Sequence, residues 1–239
     1  MKPSEMADAI RKLVDPGDIL KNFVEHSITS LINSNVTSIR DFLFYNCTAL
    51  TTVLLPEVTS IGRDAFFNCT ALTTVSLPEV TSIGYDTFYN CTALTTVSLP
   101  KLTTATDKSA FSHCTALTTV SLPEFINACG SEFSNCKSLT EVSIPKITTI
   151  YGYMFSGCTA LTTVSLPKLT TIKGSNTFSS CINLTEISLP NVTYVSSNAF
   201  NGSAFTKIHF AAANKATIEG LSKYSSKFGA TNATIYFDL

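Results

Sequence analysis

The chain contains no tryptophan and is poor in charge. Charged side chains make up 14% of its 239 residues, against roughly 25% in an average globular chain. With 16 basic and 17 acidic residues the formal net charge is −1, so the basic excess of a dedicated nucleic-acid binder is missing. No apolar run approaches the roughly 20 residues that a membrane-spanning helix needs. Close cysteine pairs of the CxxC kind are absent, which removes the usual structural zinc site. Glycines are scattered, and no phosphate-cradling loop can be drawn through them. Residues 1–10 lack an apolar h-region, so no secretory signal is visible. What the chain does have is 44% hydrophobic residues, including 16 phenylalanines. That content excludes disorder and implies a sizeable core.

The eight cysteines carry the first clue to its form. Cys47, Cys69, Cys91, Cys114, Cys136, Cys158 and Cys181 recur at steps of 22 or 23 residues, and Cys129 stands outside the series. Disulfide frameworks and metal sites need cysteines that meet. A fixed period instead gives each cysteine the same place in a repeat, where a small reduced thiol packs well inside.

One unit reads Cys69-Thr-Ala-Leu72-Thr-Thr-Val75-Ser-Leu77-Pro78-Glu-Val80-Thr-Ser-Ile83-Gly-Tyr-Asp-Thr-Phe88. A period near 22 falls in the leucine-rich repeat range of roughly 20 to 29 residues. Val75-Ser76-Leu77 alternates in and out, which predicts a short strand. Pro78 ends its pairing because proline has no N–H to donate. Val80 to Ile83 is a second extended piece with both apolar ends turned inward. The stretch before Phe88 is too short for a long helix and predicts a tight turn. Single extra residues fall within 105–110 and 172–177, and the unit from Cys114 is irregular around residues 124–129.

A single coil cannot bury its own apolar side, so stacking on neighbours must supply the core. The expected fold is a β-rich α/β solenoid, a right-handed leucine-rich repeat array of about 8–9 coils. Phe44, Phe66, Phe88, Phe111, Phe133, Phe155, Phe178 and Phe200 are expected to form an inner aromatic column. The repeats occupy residues 28–210. Residues 1–27 predict a helical N-terminal cap, with helices over about 4–14 and 18–24 capped by Ser4 and Asp18. Residues 211–239 predict a C-terminal cap, with a helix over 211–224 and a strand at 234–237.

The segment FFNCTALTTVSLPEVTSIGYDTF from Phe66 resembles the BspA-type leucine-rich repeat family, and the frame covers residues 28–210. The resemblance implies an extracellular or cell-surface location and a role in adhesion, through a protein or glycan on a cell or matrix surface. Such arrays also occur in bacteriophage-like proteins, so a structural spacer or tail-associated module is the alternative. The family shares no catalytic site, and the resemblance therefore implies no catalytic residue, cofactor or metal. A monomer without membrane insertion is expected.

The residues themselves offer little chemistry. His26, His113 and His209 sit at different repeat phases. His113 precedes Cys114, but asparagine holds that place as Asn46, Asn68, Asn90 and Asn135, so His113 reads as a turn residue. The same asparagines open N-C-T sequons at 46, 68 and 90, where the regular period favours a structural turn. Asp64, Asp86 and Asp107 recur in successive coils and read as polar turn caps rather than a calcium site.

The strand face is the candidate binding surface. Strand alternation points two columns outward together. One holds Thr52, Thr74, Thr96, Thr119, Glu141, Thr163, Glu186 and Lys207. The other holds Ser76, Ser98, Ser121, Ser143, Ser165, Ser188 and His209. Threonine also suits any exposed strand, so hydroxyls alone do not make a site. The charges Glu141, Glu186, Lys207 and His209 gather towards the C-terminal half, where specificity is expected. Aromatic anchors are sparse there, which predicts modest affinity per site.

Overall fold

A computed structural model describes residues 29–32, 36–106, 108–222 and 226–238. The proposed N-terminal helices, His26 and Asp107 lie outside the described residues. Each repeat lays down one short strand of a main column, and every pairing along that column is parallel. The strands Ser30–Ile32, Thr52–Leu54, Thr74–Ser76, Thr96–Ser98, Thr119–Ser121, Glu141–Ser143 and Thr163–Ser165 form one seven-stranded sheet. Glu186–Leu189, Lys207–Phe210 and Thr234–Phe237 form a separate three-stranded one. The chain is thus a parallel β-solenoid of about eight turns.

A single continuous sheet follows from a strict period, and the structure departs from it twice. The main column breaks after Thr163–Ser165, beside the coil that carries the inserted residue within 172–177. The second strand of each coil, such as Ser82–Ile83, builds a four-stranded sheet ending at Thr104–Ala105 and a three-stranded one starting at Thr149–Tyr151. Between them, among the described residues, an isolated bridge joins Thr104 to Asn127. That gap falls on the irregular unit at residues 124–129, where the usual β-branched pair gives way to Phe125-Ile126-Asn127.

The core is a set of stacked columns. Phe66 and Phe88 are parallel to 2° with ring centroids 5.3 Å apart. The series runs on through Phe111, Phe133 and Phe155 at 5.4 to 5.9 Å. It tilts at Phe178–Phe200 to 43° and closes edge-on against Phe205 and Phe228. All of these rings are buried.

The cysteines form the neighbouring column. All eight are unbridged, and the seven periodic ones are buried. Each of six thiols reaches back one coil to a phenylalanine carbonyl, as Cys69 does to Phe44 O at 3.2 Å and Cys181 to Phe155 O at 3.0 Å. The thiol is therefore a donor rung between coils as well as a space-filler.

The turn before each cysteine requires a left-handed residue. Asn46, Asn68, Asn90, His113 and Asn135 all have φ near +60°, a region where asparagine is favoured. Their side chains join up: Asn68 Nδ2 donates to Asn46 Oδ1 at 2.8 Å, and Asn90 Nδ2 to Asn68 Oδ1 at 2.6 Å. His113 Nε2 lies 3.3 Å from Asn135 Nδ2 in the same ladder. Backbones approach closely at this flank. A Cβ on Gly84 would sit 2.6 Å from the Arg63 backbone nitrogen. After the last coil come a helix, Lys215–Ser222, and the strand Thr234–Phe237, which pairs with Lys207–Phe210.

Candidate functional site

The pairing register fixes the strand face. Thr52 stands opposite Thr74, Thr96 opposite Thr119, and Glu141 opposite Thr119 and Thr163. In the second column Ser76 meets Ser98, Ser98 meets Ser121, and Ser143 meets both Ser121 and Ser165. Neighbouring strands lie about 4.8 Å apart, so the hydroxyls form two regular files.

The threonines divide into two classes that alternation alone does not separate. The column one residue before the strand turns back on the stack. Thr51 Oγ1 donates to Thr29 O at 2.8 Å, Thr73 to Thr51 O at 3.1 Å and Thr162 to Thr140 O at 3.2 Å. These hydroxyls tie coil to coil. The outward column behaves differently: Thr74, Thr96, Thr119 and Thr163 are exposed. Among the described residues their hydroxyls, and those of Ser76, Ser98, Ser121, Ser143, Ser165 and Ser188, make no hydrogen bond to protein. Of the threonines in this file only Thr52, among the described residues, has its hydroxyl near another side chain, Thr51 Oγ1 at 3.5 Å.

The charges do not form one patch. Glu141 stands on the seven-stranded sheet and has no ion pair among the described residues. Glu186, Lys207 and His209 stand on the three-stranded sheet and engage one another. Lys207 Nζ is 3.2 Å from Glu186 Oε2, and His209 Nε2 is 3.1 Å from Glu186 Oε1. His209 Nδ1 is 2.9 Å from Asp238 Oδ1, and its ring stacks on Tyr236 at 4.8 Å and 10°. Tyr236 and Asp238 were missed by sequence reasoning. Their signal is the register of Thr234–Phe237, which places Tyr236 beside His209. A histidine held between two carboxylates has the look of acid–base machinery. Here the ring is mostly covered by its neighbours: Nδ1 is hydrogen-bonded to Asp238, while Nε2, though close to Glu186 Oε1, is buried and makes no hydrogen bond.

The remaining reactive groups serve the stack. Burial pushes the Cys114 and Cys181 thiols up to about 12, and it raises Cys91, Cys136 and Cys158 well above the ordinary range. These sulfurs stay protonated and are not nucleophiles at neutral pH. Burial, and then the charge of Lys137, lower His113, which packs on Tyr89 at 5.0 Å. Asp64 is buried and accepts from Arg63 Nε at 2.9 Å. Among the described residues no cluster of histidine, cysteine or carboxylate could hold a metal ion, and no helix is long and apolar enough to cross a membrane.

Parallel coils of about 22 residues, with an inward leucine and valine frame and a free strand face, define a leucine-rich repeat solenoid. The chain belongs to the BspA type leucine rich repeat region family, whose model matches residues 21–132 and 129–227 in 6 copies. Solved bacterial leucine-rich repeat proteins share the fold. The T. pallidum leucine rich repeat protein is 24% identical with a TM-score of 0.60, over 66% of this chain and 78% of that one. A leucine-rich repeat protein from Eubacterium ventriosum is 23% identical with a TM-score of 0.59, over 74% and 63%. One from Bacteroides ovatus is 20% identical with a TM-score of 0.51, over 93% and 70%. No curated protein matches the sequence.

Proposed function

We propose that this chain is a non-enzymatic surface interaction module that binds a protein or glycan on a cell or matrix surface through its strand face. One observation carries the reading: the hydroxyls of Thr74, Thr96, Thr119 and Thr163 bond to nothing in the protein, while the adjacent threonine column is spent on the stack. A long file of unsatisfied donors and acceptors on a rigid sheet loses little conformational entropy on binding. Glu141 supplies the one charge on the seven-stranded sheet's outward file and sets orientation there. The reading keeps the expected division into a repeat array over 28–210 and a C-terminal cap over 211–239, and a surface location fits the family. Adhesion assays on immobilised matrix proteins and a glycan array test the reading. Binding that is weakened by Glu141→Lys and Thr119→Lys supports it. Binding to no probe, or binding indifferent to both changes, overturns it in favour of a structural spacer or phage-tail-associated module with recognition supplied elsewhere.

A further inference from the structure

The turns that lead into Phe44, Phe66 and Phe88 enclose a second surface feature, a groove of about 370 Å³ that shares no residue with the strand face. That volume lies within the roughly 300–1,000 Å³ of small-ligand sites. One wall is an outer ring ladder. Tyr45 and Phe67 are parallel to 7° at 4.8 Å, and Phe67 continues to Tyr89 at 4.9 Å. Adjoining it, with Phe42 6.1 Å from Tyr45, is a mixed stack in which the Arg63 guanidinium lies 5.6 Å from the Phe42 ring and 5.1 Å from that of Tyr85. Asp64 and Asp86, both buried and both at positive φ, complete the lining.

Stacking of the coils does not require this arrangement. Where Asp64 and Asp86 stand, later coils carry Ser109 and Ser131. Where Tyr45, Phe67 and Tyr89 stand, they carry Ser112, Ser134 and Ser156. Those coils keep the phenylalanine and cysteine columns intact. The groove is therefore an addition confined to one end of the array.

We propose that this groove binds a neutral saccharide. Its donors and acceptors are held in pairs, Arg63 Nε on Asp64 Oδ2 at 2.9 Å and the Tyr85 phenol on Asp86; the guanidinium has further N–H donors beyond that one, and each carboxylate has more than one lone-pair site. Each sugar hydroxyl both donates and accepts, so one ring satisfies both kinds, and its C–H groups meet the apolar aromatic walls. An anion is opposed by two lining carboxylates to one guanidinium, and Asp41, whose Oδ1 accepts the Arg63 backbone N–H at 2.7 Å, adds a third negative charge nearby. A wholly apolar ligand strips water from charged groups without replacing it. A cation finds Arg63 already seated between the rings. This goes beyond the strand-face reading, and either can fail alone.

The test is a titration of the isotopically labelled full chain with maltose, cellobiose, lactose and diacetylchitobiose, alongside sialyllactose and choline. At least one neutral sugar should saturably move the Arg63 Nε signal and the backbone amides of Asp64, Phe67 and Tyr85. Arg63→Gln and Phe42→Ala change exposed side chains and should weaken that binding about tenfold, the scale of one charged hydrogen bond. Lys168→Gln, exposed and outside both the groove and the strand face, should leave it unchanged. The proposal is overturned if no neutral sugar moves these signals, if only sialyllactose or choline does, or if both groove variants bind like the parent chain.

Discussion

Replacing Phe88 with alanine removes one ring from the middle of the core column. That ring is fully buried, and it stacks on Phe66 at 5.3 Å and 2° and on Phe111 at 5.4 Å and 7°. A buried phenylalanine-to-alanine change costs about 3–5 kcal/mol in lost transfer and residual cavity. Two aromatic contacts, each worth about 0.5–1.5 kcal/mol beyond area, place Phe88→Ala in the upper part of that range. The cavity cannot collapse readily, because the coils above and below are spaced by their own strand pairing. Stability in a repeat array is a sum of coil and interface terms, so the loss should be local first. Native-state hydrogen exchange should show the amides of coils 66–111 opening at lower free energy than those near Phe155. Urea unfolding should lose about 4 kcal/mol overall. Tyr153→Ala, at an exposed ring, is the control and should lose under about 0.5 kcal/mol. A loss of under about 1 kcal/mol for Phe88→Ala, or equal losses at both sites, refutes the claim that ring stacking holds the coils together.

Two further outcomes follow from the interior. Iodoacetamide at mildly alkaline pH should label Cys129 alone in the folded chain, because Cys129 is half-exposed while the seven periodic thiols are buried, and burial raises the pKa of Cys91, Cys114, Cys136, Cys158 and Cys181; all eight should label after unfolding, and mass spectrometry reads the difference. Glu132 is buried, and burial raises its carboxyl above the ordinary 4.5 even though Gly130 and Cys129 N–H groups pull it down. A raised folded pKa means that the folded chain holds the proton more tightly than the unfolded one, so the contribution is greatest at low pH and declines as pH rises through the folded pKa. Glu132→Gln keeps the acceptor for both N–H groups and cannot ionise. Urea melts should therefore find it more stable than the parent at pH 7, with the gap closing below 4.5; a pH-independent gap contradicts the reasoning.

Much of the fold was legible because the sequence repeats its own contacts. Once the cysteine spacing gives the period, every neighbour across the stack is the residue 22 or 23 positions away, and the phenylalanine and asparagine ladders follow from that arithmetic. Departures from the period were harder to read. The irregular run at 124–129 announces itself, but nothing local says that it interrupts the second sheet, because that depends on whether Asn127 completes a strand or only a bridge. The candidate face was half legible. Alternation gives the outward residues, yet it does not distinguish Thr51, whose hydroxyl reaches the previous coil, from Thr74, whose hydroxyl does not. The Glu186–His209–Asp238 bridge was hidden for a similar reason. It joins a repeat residue to one outside the repeat, where no period predicts a partner.

Under the proposed function, the free hydroxyl wall is the surface that meets a partner. Because the native thiols are buried, a single cysteine placed on the surface of a Cys129→Ser chain can be modified selectively with a bulky polyethylene glycol. Adhesion to an immobilised matrix protein or glycan that scores in the binding assays should be abolished when the polymer sits at Thr96→Cys or Ser121→Cys, and retained when it sits at Lys168→Cys after the strand has ended. Adhesion that survives on the wall and is lost at Lys168 would place the contact surface elsewhere.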